Sequence, residues 1–440
     1  MKTGTLNSKE INVSMRIDGS FHLSDGVILE RAIVNHSHKP LIDFCSSIFT
    51  SGRNKRVYTN KEYGYPYLSN SDVVAQNPFD SCNHNSQKYS HDESAFLKEE
   101  MVLTGRVGAI GQTAYVTKEF EEKEAMGSDN IIRIVAKPSE YSGYLYSFLS
   151  SRIGNSLLWK LAAGGVQPYI TDKMVENIPV PIFPETKQQE IHNLIVESAN
   201  LRVEANWLLE EAIDVFDKLL ENENVVSNGA ISIRNIRNRF DSYSVLENNA
   251  INTIINKNSI EWIPIKSISK RIFIGPRSKR NYVAKGVPFL SGSELQKSNP
   301  TKVEKFLNVK DSAPFIVNMD WVLITRSGTI GNVSYILPIL DGYGATDDAI
   351  RVIVKSNSKL TSKYLYAFLA SKFGKKCIQK DIFGSVIQHI NEEQLGNILI
   401  PILDVDKIER QIEKYCLFLN EAIIKENQAI SLVEKEIESW

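Results

Sequence analysis

Cysteine is scarce, with four in 440 residues, and the four stand apart at positions 45, 82, 377 and 416 with no Cys-x-x-Cys pair. That spacing argues against a disulfide framework and against a cysteine zinc site. No uninterrupted apolar run approaches the length that crosses a bilayer, and residues 1–25 carry no signal-peptide pattern, so the expectation is a cytoplasmic protein without membrane contact. Catalytic signatures are missing as well: there is no Gly-Lys-Ser/Thr phosphate cradle, no His-Glu-x-x-His and no Gly-x-Ser-x-Gly elbow. Neither sign of charge predominates, with 51 Lys and Arg against 52 Asp and Glu. A content of 42% hydrophobic and 23% charged residues marks an ordinary globular chain, long enough for two buried cores.

Weaker signs of chemistry are present. Gln76-Asn77-Pro78-Phe79 falls one proline short of the adenine methyltransferase motif, and no glycine-rich S-adenosylmethionine loop precedes it. Pro168, Asp172, Glu185 and Lys187 can be strung together as a Pro-Asp…Glu-x-Lys magnesium nuclease site. Glu185 and Lys187, however, open a predicted long helix, where an acidic first turn is already explained by the helix dipole. His36, His38, His84 and His91 lack ligand partners at telling spacings and read as loop residues, so no metal site is expected.

What the chain does contain is itself, twice. The stretch 102–111, VLTGRVGAIG, recurs at 322–331 as VLITRSGTIG, six of ten residues identical at an offset of 220, half the chain length. The same offset carries YLYSFLSSRIG at 144–154 onto YLYAFLASKFG at 364–374, and IPVPI at 178–182 onto ILIPI at 398–402. PYLSNSD at 66–72 meets PFLSGSE at 288–294, and Arg16-Ile17-Asp18 answers Arg239-Phe240-Asp241. A unit this long excludes a short-period solenoid.

Each copy has two parts. Residues 1–184 and 224–403 mix strand-like runs, such as 131–135 and 349–354, with short helical patterns and Gly/Asn/Ser/Pro turns, which predicts a compact mixed α/β domain. Residues 185–223 and 404–440 instead carry heptad seams. The first seam is Ile191, Leu194, Ser198, Leu201, Ala205, Leu208, Ala212, Val215 and Leu219. The second is Ile412, Cys416, Leu419, Ile423, Glu426, Ile430, Val433, Ile437 and Trp440. Each has one polar exception, Ser198 and Glu426. Two seams can zip against each other, or each helix can cap its own domain; Ile195, Leu209, Ile213, Phe216 and Leu220, off the first seam, predict contact with a globular domain too. A helix of about 37 residues is roughly 55 Å long. Residues 223–238 read as the linker into the second copy.

Charge divided by region is uneven. The two helical segments hold −7 and −4, residues 1–184 hold −1, and residues 224–403 hold +11. The second domain therefore has the electrostatic footprint of a phosphate-backbone binder, and the first must rely on local patches. The matched basic loops, Arg53-Asn54-Lys55-Arg56 and Arg277-Ser278-Lys279-Arg280, combine guanidinium forks with an amide or hydroxyl able to read a base edge. Ser69, Asn70, Gln167, Ser291, Ser293 and Gln388, in polar or Gly-rich loops, are further candidates. Arg106 and Arg326 project from a predicted strand–turn–strand and read equally as a buried structural pair or as DNA contacts. Gly108, Gly111, Gly328 and Gly331 suit positive φ or close packing in that turn rather than nucleotide binding.

In the order and doubling of these motifs the chain resembles the specificity subunit of type I restriction-modification systems. The carriers are the 106–111 and 326–331 turns, the Tyr-Leu-Tyr-x-Phe-Leu helices, the 165–167 and 384–386 stretches and the Ile-Pro-Val-Pro or Ile-Leu-Ile-Pro exits. The run Lys187-Gln188-Gln189-Glu190-Ile191 is similar to the start of the family's conserved helix, although Asp404-Val405-Asp406 replaces the proline-rich entry to the second. The resemblance implies two target recognition domains related by a pseudo-twofold axis, held apart by antiparallel coiled-coil helices, each reading half of a split asymmetric site in double-stranded DNA. It implies that the helices, through positions such as Gln189, Leu201, Leu208, Ile412, Leu419 and Ile430, dock two methyltransferase subunits. It further implies motor-nuclease subunits, with S-adenosylmethionine, ATP and magnesium on the partners and no cofactor or catalysis in this chain. Two other readings stay open: a DNA nuclease or methyltransferase acting alone or in association, and a helical scaffold that binds protein.

Overall fold

The computed structural model describes residues 17–53, 55–90, 92–138, 140–164, 166–221, 250–256, 259–380, 382 and 389–440. The linker read at 223–238, Arg16, and Arg239 to Asp241 lie outside them. The chain divides into two compact units, one of residues up to Val203 together with Glu421–Trp440, the other Glu204–Asn420. The division falls within both long helices, so each unit comprises a mixed α/β domain and one half of each helix.

Strands of the first unit are β1 (His38–Pro40), β2 (Cys45–Thr50), β3 (Gly64–Leu68), β4 (Asn83–Ser86), β5 (Val102–Gly105), β6 (Thr113–Tyr115), β7 (Met126–Gly127), β8 (Ile131–Ala136) and β9 (Pro179–Pro181). Those of the second are β10 (Trp262–Pro264), β11 (Ser269–Ile274), β12 (Tyr282–Val283), β13 (Val287–Leu290), β14 (Phe306–Leu307), β15 (Val322–Thr325), β16 (Val333–Tyr335), β17 (Gly344–Ala345), β18 (Ala349–Val354) and β19 (Leu399–Pro401). The larger helices used below are α1 (Ser142–Ser150), α2 (Arg152–Leu161), α3 (Glu185–Glu221), α4 (Ser362–Ala370), α5 (Lys372–Gln379) and α6 (Val405–Glu438).

The two domains share one topology. An antiparallel sheet β2-β8-β5-β6 reappears as β11-β18-β15-β16, and a smaller sheet in which β3 runs parallel to β7 reappears with β13 beside β17. Even the irregularity in the first strand recurs, between Cys45 and Ser47 and between Ser269 and Arg271. The central strands β8 and β18 begin with four buried residues, which is why they read as continuous apolar runs rather than alternating ones. The copies differ in the smaller sheet, where the polar β4 pairs with β3 in one unit, while in the other β14 pairs with β13 and β12 with β14.

The repeated helix motif is framework. Ser151 and Ser371 cap α2 and α5, accepting hydrogen bonds from Gly154 and Gly374 N–H. A Cβ on Gly154 or Gly374 would collide with the carbonyl oxygen of Phe148 or Phe368, so the corner between consecutive helices closes only with glycine there. The hydroxyls of Tyr144 and Tyr364 donate to the carbonyls of Pro181 and Pro401 at 2.6 and 2.7 Å, tying each helix to its exit strand.

Both predicted seams are largely inside. No seam residue of α3 is exposed, and in the second seam only Trp440, just past the end of α6, is. Within the first unit, Trp440 packs edge-on to Phe183 before α3, while Ser198 further along donates to the Ala422 carbonyl at 2.8 Å, so the helices run antiparallel. The other polar exception, Glu426, accepts from Tyr146 and Arg202, each at 2.7 Å. In the second unit Gln411 donates to Glu211. The off-seam expectation also holds: Ile195 joins the first domain's core, and Phe216 meets Tyr364 and Phe368 edge-on. Helix α6 starts at Val405, with the Asp404 carbonyl accepting from Lys407 and Ile408 N–H.

Candidate nucleic-acid interface

The strand–turn–strand predicted from the repeat is β5 to β6 and β15 to β16. Gly108 and Gly328 both have φ of +72°, and Gly111 and Gly331 have +81° and +87°. A Cβ at 108 or 328 would touch nothing within 4 Å, so the torsion rather than crowding requires glycine. The turn is a junction for other loops. Arg106 N–H donates to the Asn130 carbonyl, Asn70 Nδ2 to the Val107 carbonyl, and Ile170 N–H to the Arg106 carbonyl. In the second unit Arg326 N–H donates likewise to the Asp348 carbonyl. The arginine side chains are half-buried, and Nε of Arg326 is buried without a hydrogen bond.

The junction brings the basic loop of each domain to one aspartate. In the first domain Arg56 Nη2 bonds Asp129 Oδ1, and Arg53 Nε lies 3.4 Å from Asp129 Oδ2. In the second, Arg280 Nη2 bonds Asp347 Oδ1, and Arg277 Nε lies 3.6 Å from Asp347 Oδ2. Arg56 also lies over the Tyr67 ring at 5.3 Å, and Arg280 over the matching Phe289 at 5.1 Å. Burial pulls the Arg56 guanidinium down, but Tyr67 and Asp129 more than offset this and hold it above its ordinary value. Lys55, Ser278 and Lys279 are exposed beside these pairs.

Beneath each aspartate sits a side chain that sequence reasoning passed over. Arg133 on β8 and Arg351 on β18 are 0% and 1% exposed. Arg133 donates to the carbonyls of Ala95, Gly127, Ser128 and Ile131, and Arg351 to those of Pro314, Phe315 and Ala345. Each therefore clamps the loop that carries Asp129 or Asp347. Burial pulls both guanidinium groups down to about 10, so they remain charged at neutral pH. A lone arginine inside an apolar strand, repeated in both copies, was the available signal.

The remaining candidates are placed as follows. Ser69 and Ser291 turn their hydroxyls back onto Asp72 and Glu294 of their own loops, beside the hydroxyls of Ser71 and Ser293. Gln167 is exposed; Asn54 and Gln388 lie outside the described residues. Of the helix positions, Leu208, Ile412 and Leu419 are buried in the second unit, Leu201 and Ile430 are half-buried in the first, and Gln189 is exposed. Among the described residues, Trp207 and Leu417, 58% and 61% exposed, are large apolar side chains that face outward from the long helices of the second unit.

The polar residues of the nuclease-like set have local partners. Glu185 receives a hydrogen bond from Tyr141, Lys187 pairs with Glu190, and Asp172 accepts from the backbone of Lys173. Asn77 bonds the N–H of Phe79 in a local turn. Among the described residues no three His, Cys, Asp or Glu side chains gather to hold a metal, and no helix is long and apolar enough to cross a membrane.

The chain thus presents one mixed α/β domain twice, each copy with arginines braced on an aspartate where its loops converge. Both copies match the type I restriction modification DNA specificity domain, over residues 40–196 and 265–416, and the chain belongs to that family. Recognition of DNA within a type I restriction-modification system is the role this membership carries. Among solved structures the chain is similar to the S subunit of a type I restriction-modification system from M. genitalium, at 13% identity over 92% of this chain and 94% of that one, TM-score 0.34. It is also similar to the HsdS subunit from Thermoanaerobacter tengcongensis, at 13% identity over 92% and 94%, TM-score 0.28. The type IIG restriction endonuclease BpuSI matches over 42% of this chain and 29% of its own at 12% identity, TM-score 0.29. No curated protein sequence matches the chain.

Proposed function

We propose that this chain is a non-catalytic specificity subunit whose two domains each read one half of a split, asymmetric DNA site. The observation that carries the reading is the duplicated arginine–aspartate arrangement set in unlike surroundings. In the first domain Ser51, Asn85, Ser90 and Asp92 line the hollow beside Arg56; in the second Tyr282 and Asp348 stand beside Arg277 and Arg280. One framework with two linings suits two different half-sites. The long helices dock two methyltransferase subunits, which bring S-adenosylmethionine and the adenine chemistry, and motor-nuclease subunits add ATP and magnesium. A helix of 37 residues is about 55 Å long, equivalent to about 16 base pairs at about 3.4 Å each, an upper limit on the gap between half-sites.

The test is a genomic methylation map from cells expressing the chain with its methyltransferase subunits. A bipartite motif is expected. Inserting four residues near Glu204, about one helical turn, should widen the gap without changing the bases read; an unchanged gap in a folded variant overturns the ruler. Cleavage of DNA by the purified chain with magnesium would favour an autonomous nuclease, and absence of a salt-dependent gel shift would favour a protein-binding scaffold.

A further inference from the structure

The two arginines of each basic loop are not alike. Arg56 and Arg280 are held, bonded to the aspartate and laid over an aromatic ring. Arg53 and Arg277 stand outward, with side chains 76% and 67% exposed, and it is Nε that lies at 3.4 and 3.6 Å from the carboxylate. A guanidinium whose contact is at Nε and whose side chain is this exposed can turn its far edge, the Nη1 and Nη2 pair, toward an incoming ligand. That pair of donors matches the O6 and N7 acceptors of guanine in the major groove. The same edge fits a phosphate, but a phosphate there would lie close to the aspartate charge, a repulsion that a neutral base edge avoids.

We propose that Arg53 and Arg277 each read a guanine in their half-site, with Asp129 and Asp347 as the positioning residues that set the guanidinium fork. Arg56 and Arg280 complete the brace, and Arg133 and Arg351 hold the loop on which each aspartate stands. The inference rests on the proposed reading of this chain as a DNA specificity subunit.

The experiment uses the full chain with its methyltransferase subunits. In the wild-type motif each half should contain a guanine. Arg277→Ala should make that one guanine degenerate while the rest of the motif persists, and Asp347→Asn should relax it about tenfold without weakening binding to a random-sequence 40-base-pair duplex. Asp347→Glu should restore part of the discrimination. Replacing the guanine by 7-deazaguanine should weaken wild-type binding about tenfold and leave Arg277→Ala binding unchanged. Arg53→Ala and Asp129→Asn repeat the test independently in the first domain, should a second-domain variant fail to fold. An intact motif in the arginine and aspartate variants, with a smaller salt dependence, would mean phosphate contact and overturn the inference. A lower melting temperature with an intact motif would assign the aspartate a purely structural role and overturn it too. A wild-type complex that yields no motif would instead remove the reading on which the inference stands.

Discussion

Replacing Arg351 by Met is the sharpest test of how the loop that carries Asp347 is held. The guanidinium donates to Pro314, Phe315 and Ala345 carbonyls at 3.4, 3.2 and 2.9 Å. Hydrogen bonds from a charged donor contribute about 1.5–3 kcal/mol each, so the two shorter ones together supply about 3–6 kcal/mol. Against this stands the cost of burying the charge. A fall from the ordinary value of 12.5 to about 10 corresponds to about 3 kcal/mol, which methionine would not incur. The difference, up to about 3 kcal/mol lost, should lower the melting temperature by up to about 10 °C for a domain of this size. Arg351→Lys should not fully rescue it, because one ammonium cannot hold the Pro314 carbonyl, bonded by Nη1, together with those of Phe315 and Ala345, both bonded by Nη2, as a planar fork does. The loop carrying Asp347 should loosen too, so DNA affinity should fall in protein that is still folded. Arg133→Met should cost more, since four carbonyls lose their donor. Thermal unfolding beside DNA binding reads both effects; an Arg351→Met protein that melts within about 1 °C of wild type and binds normally refutes the clamp.

The glycine turn and a buried histidine give two further tests. Gly328→Val should be strained by about 1–3 kcal/mol because of its φ of +72°, whereas Gly328→Asn, with nothing within 4 Å of its Cβ and a side chain that tolerates the left-handed region, should melt close to wild type; equal melting of the two variants counts against the torsional reading. His192 accepts from Gly143 N–H, and burial, only partly opposed by Glu100, holds it below its ordinary value of 6.5. A histidine lowered on folding contributes stability that is present above its unfolded value and lost as pH falls through the folded one, so melting should worsen below about pH 6.5. His192→Gln, which keeps an acceptor but cannot titrate, should flatten that slope, and a slope identical to wild type places the acid sensitivity elsewhere.

Periodicity and repetition made the framework legible. The heptad spacing of 191–219 and 412–440, the Gly108 and Gly328 turns and the paired Tyr-Leu-Tyr helices depend on neighbours close in sequence or on a second copy to compare. The two polar seam positions were visible as interruptions, yet their partners were not, because Tyr146 and Arg202 reach Glu426 from 280 and 224 residues away in the chain. Asp129 and Asp347 escaped for the same reason. They stand 73 and 67 residues from the arginines they bond, and only the smaller sheet and the glycine turn bring them together. Arg133 and Arg351 were in plain view within apolar strands. What hid them was the rule that charge faces solvent, which fails where a guanidinium can be surrounded by backbone carbonyls.

A chain that contains nearly the same domain twice also contains nearly the same helix-docking surface twice, and an apolar seam alone would discriminate poorly between the correct helix halves and the exchanged ones. Equivalent tyrosines show how the two surfaces differ. Tyr146 donates to Glu426, which also receives Arg202, whereas Tyr366 bonds and stacks on Tyr415. A single buried polar group in a coiled-coil seam characteristically fixes register at a cost in stability. Replacing the cluster together, as Tyr146→Phe/Arg202→Met/Glu426→Leu, should therefore leave global stability within about 2 kcal/mol, because an apolar substitute recovers the desolvation of the ion pair. Pairing should become less definite. Cysteines placed at Glu197 and Lys425, whose side chains now meet at 2.7 Å, should be joined nearly completely by a short thiol cross-linker in the parent and only partly in the triple variant. Complete cross-linking with a stability loss of about 3 kcal/mol or more would show that the cluster contributes to stability rather than to the choice of partner.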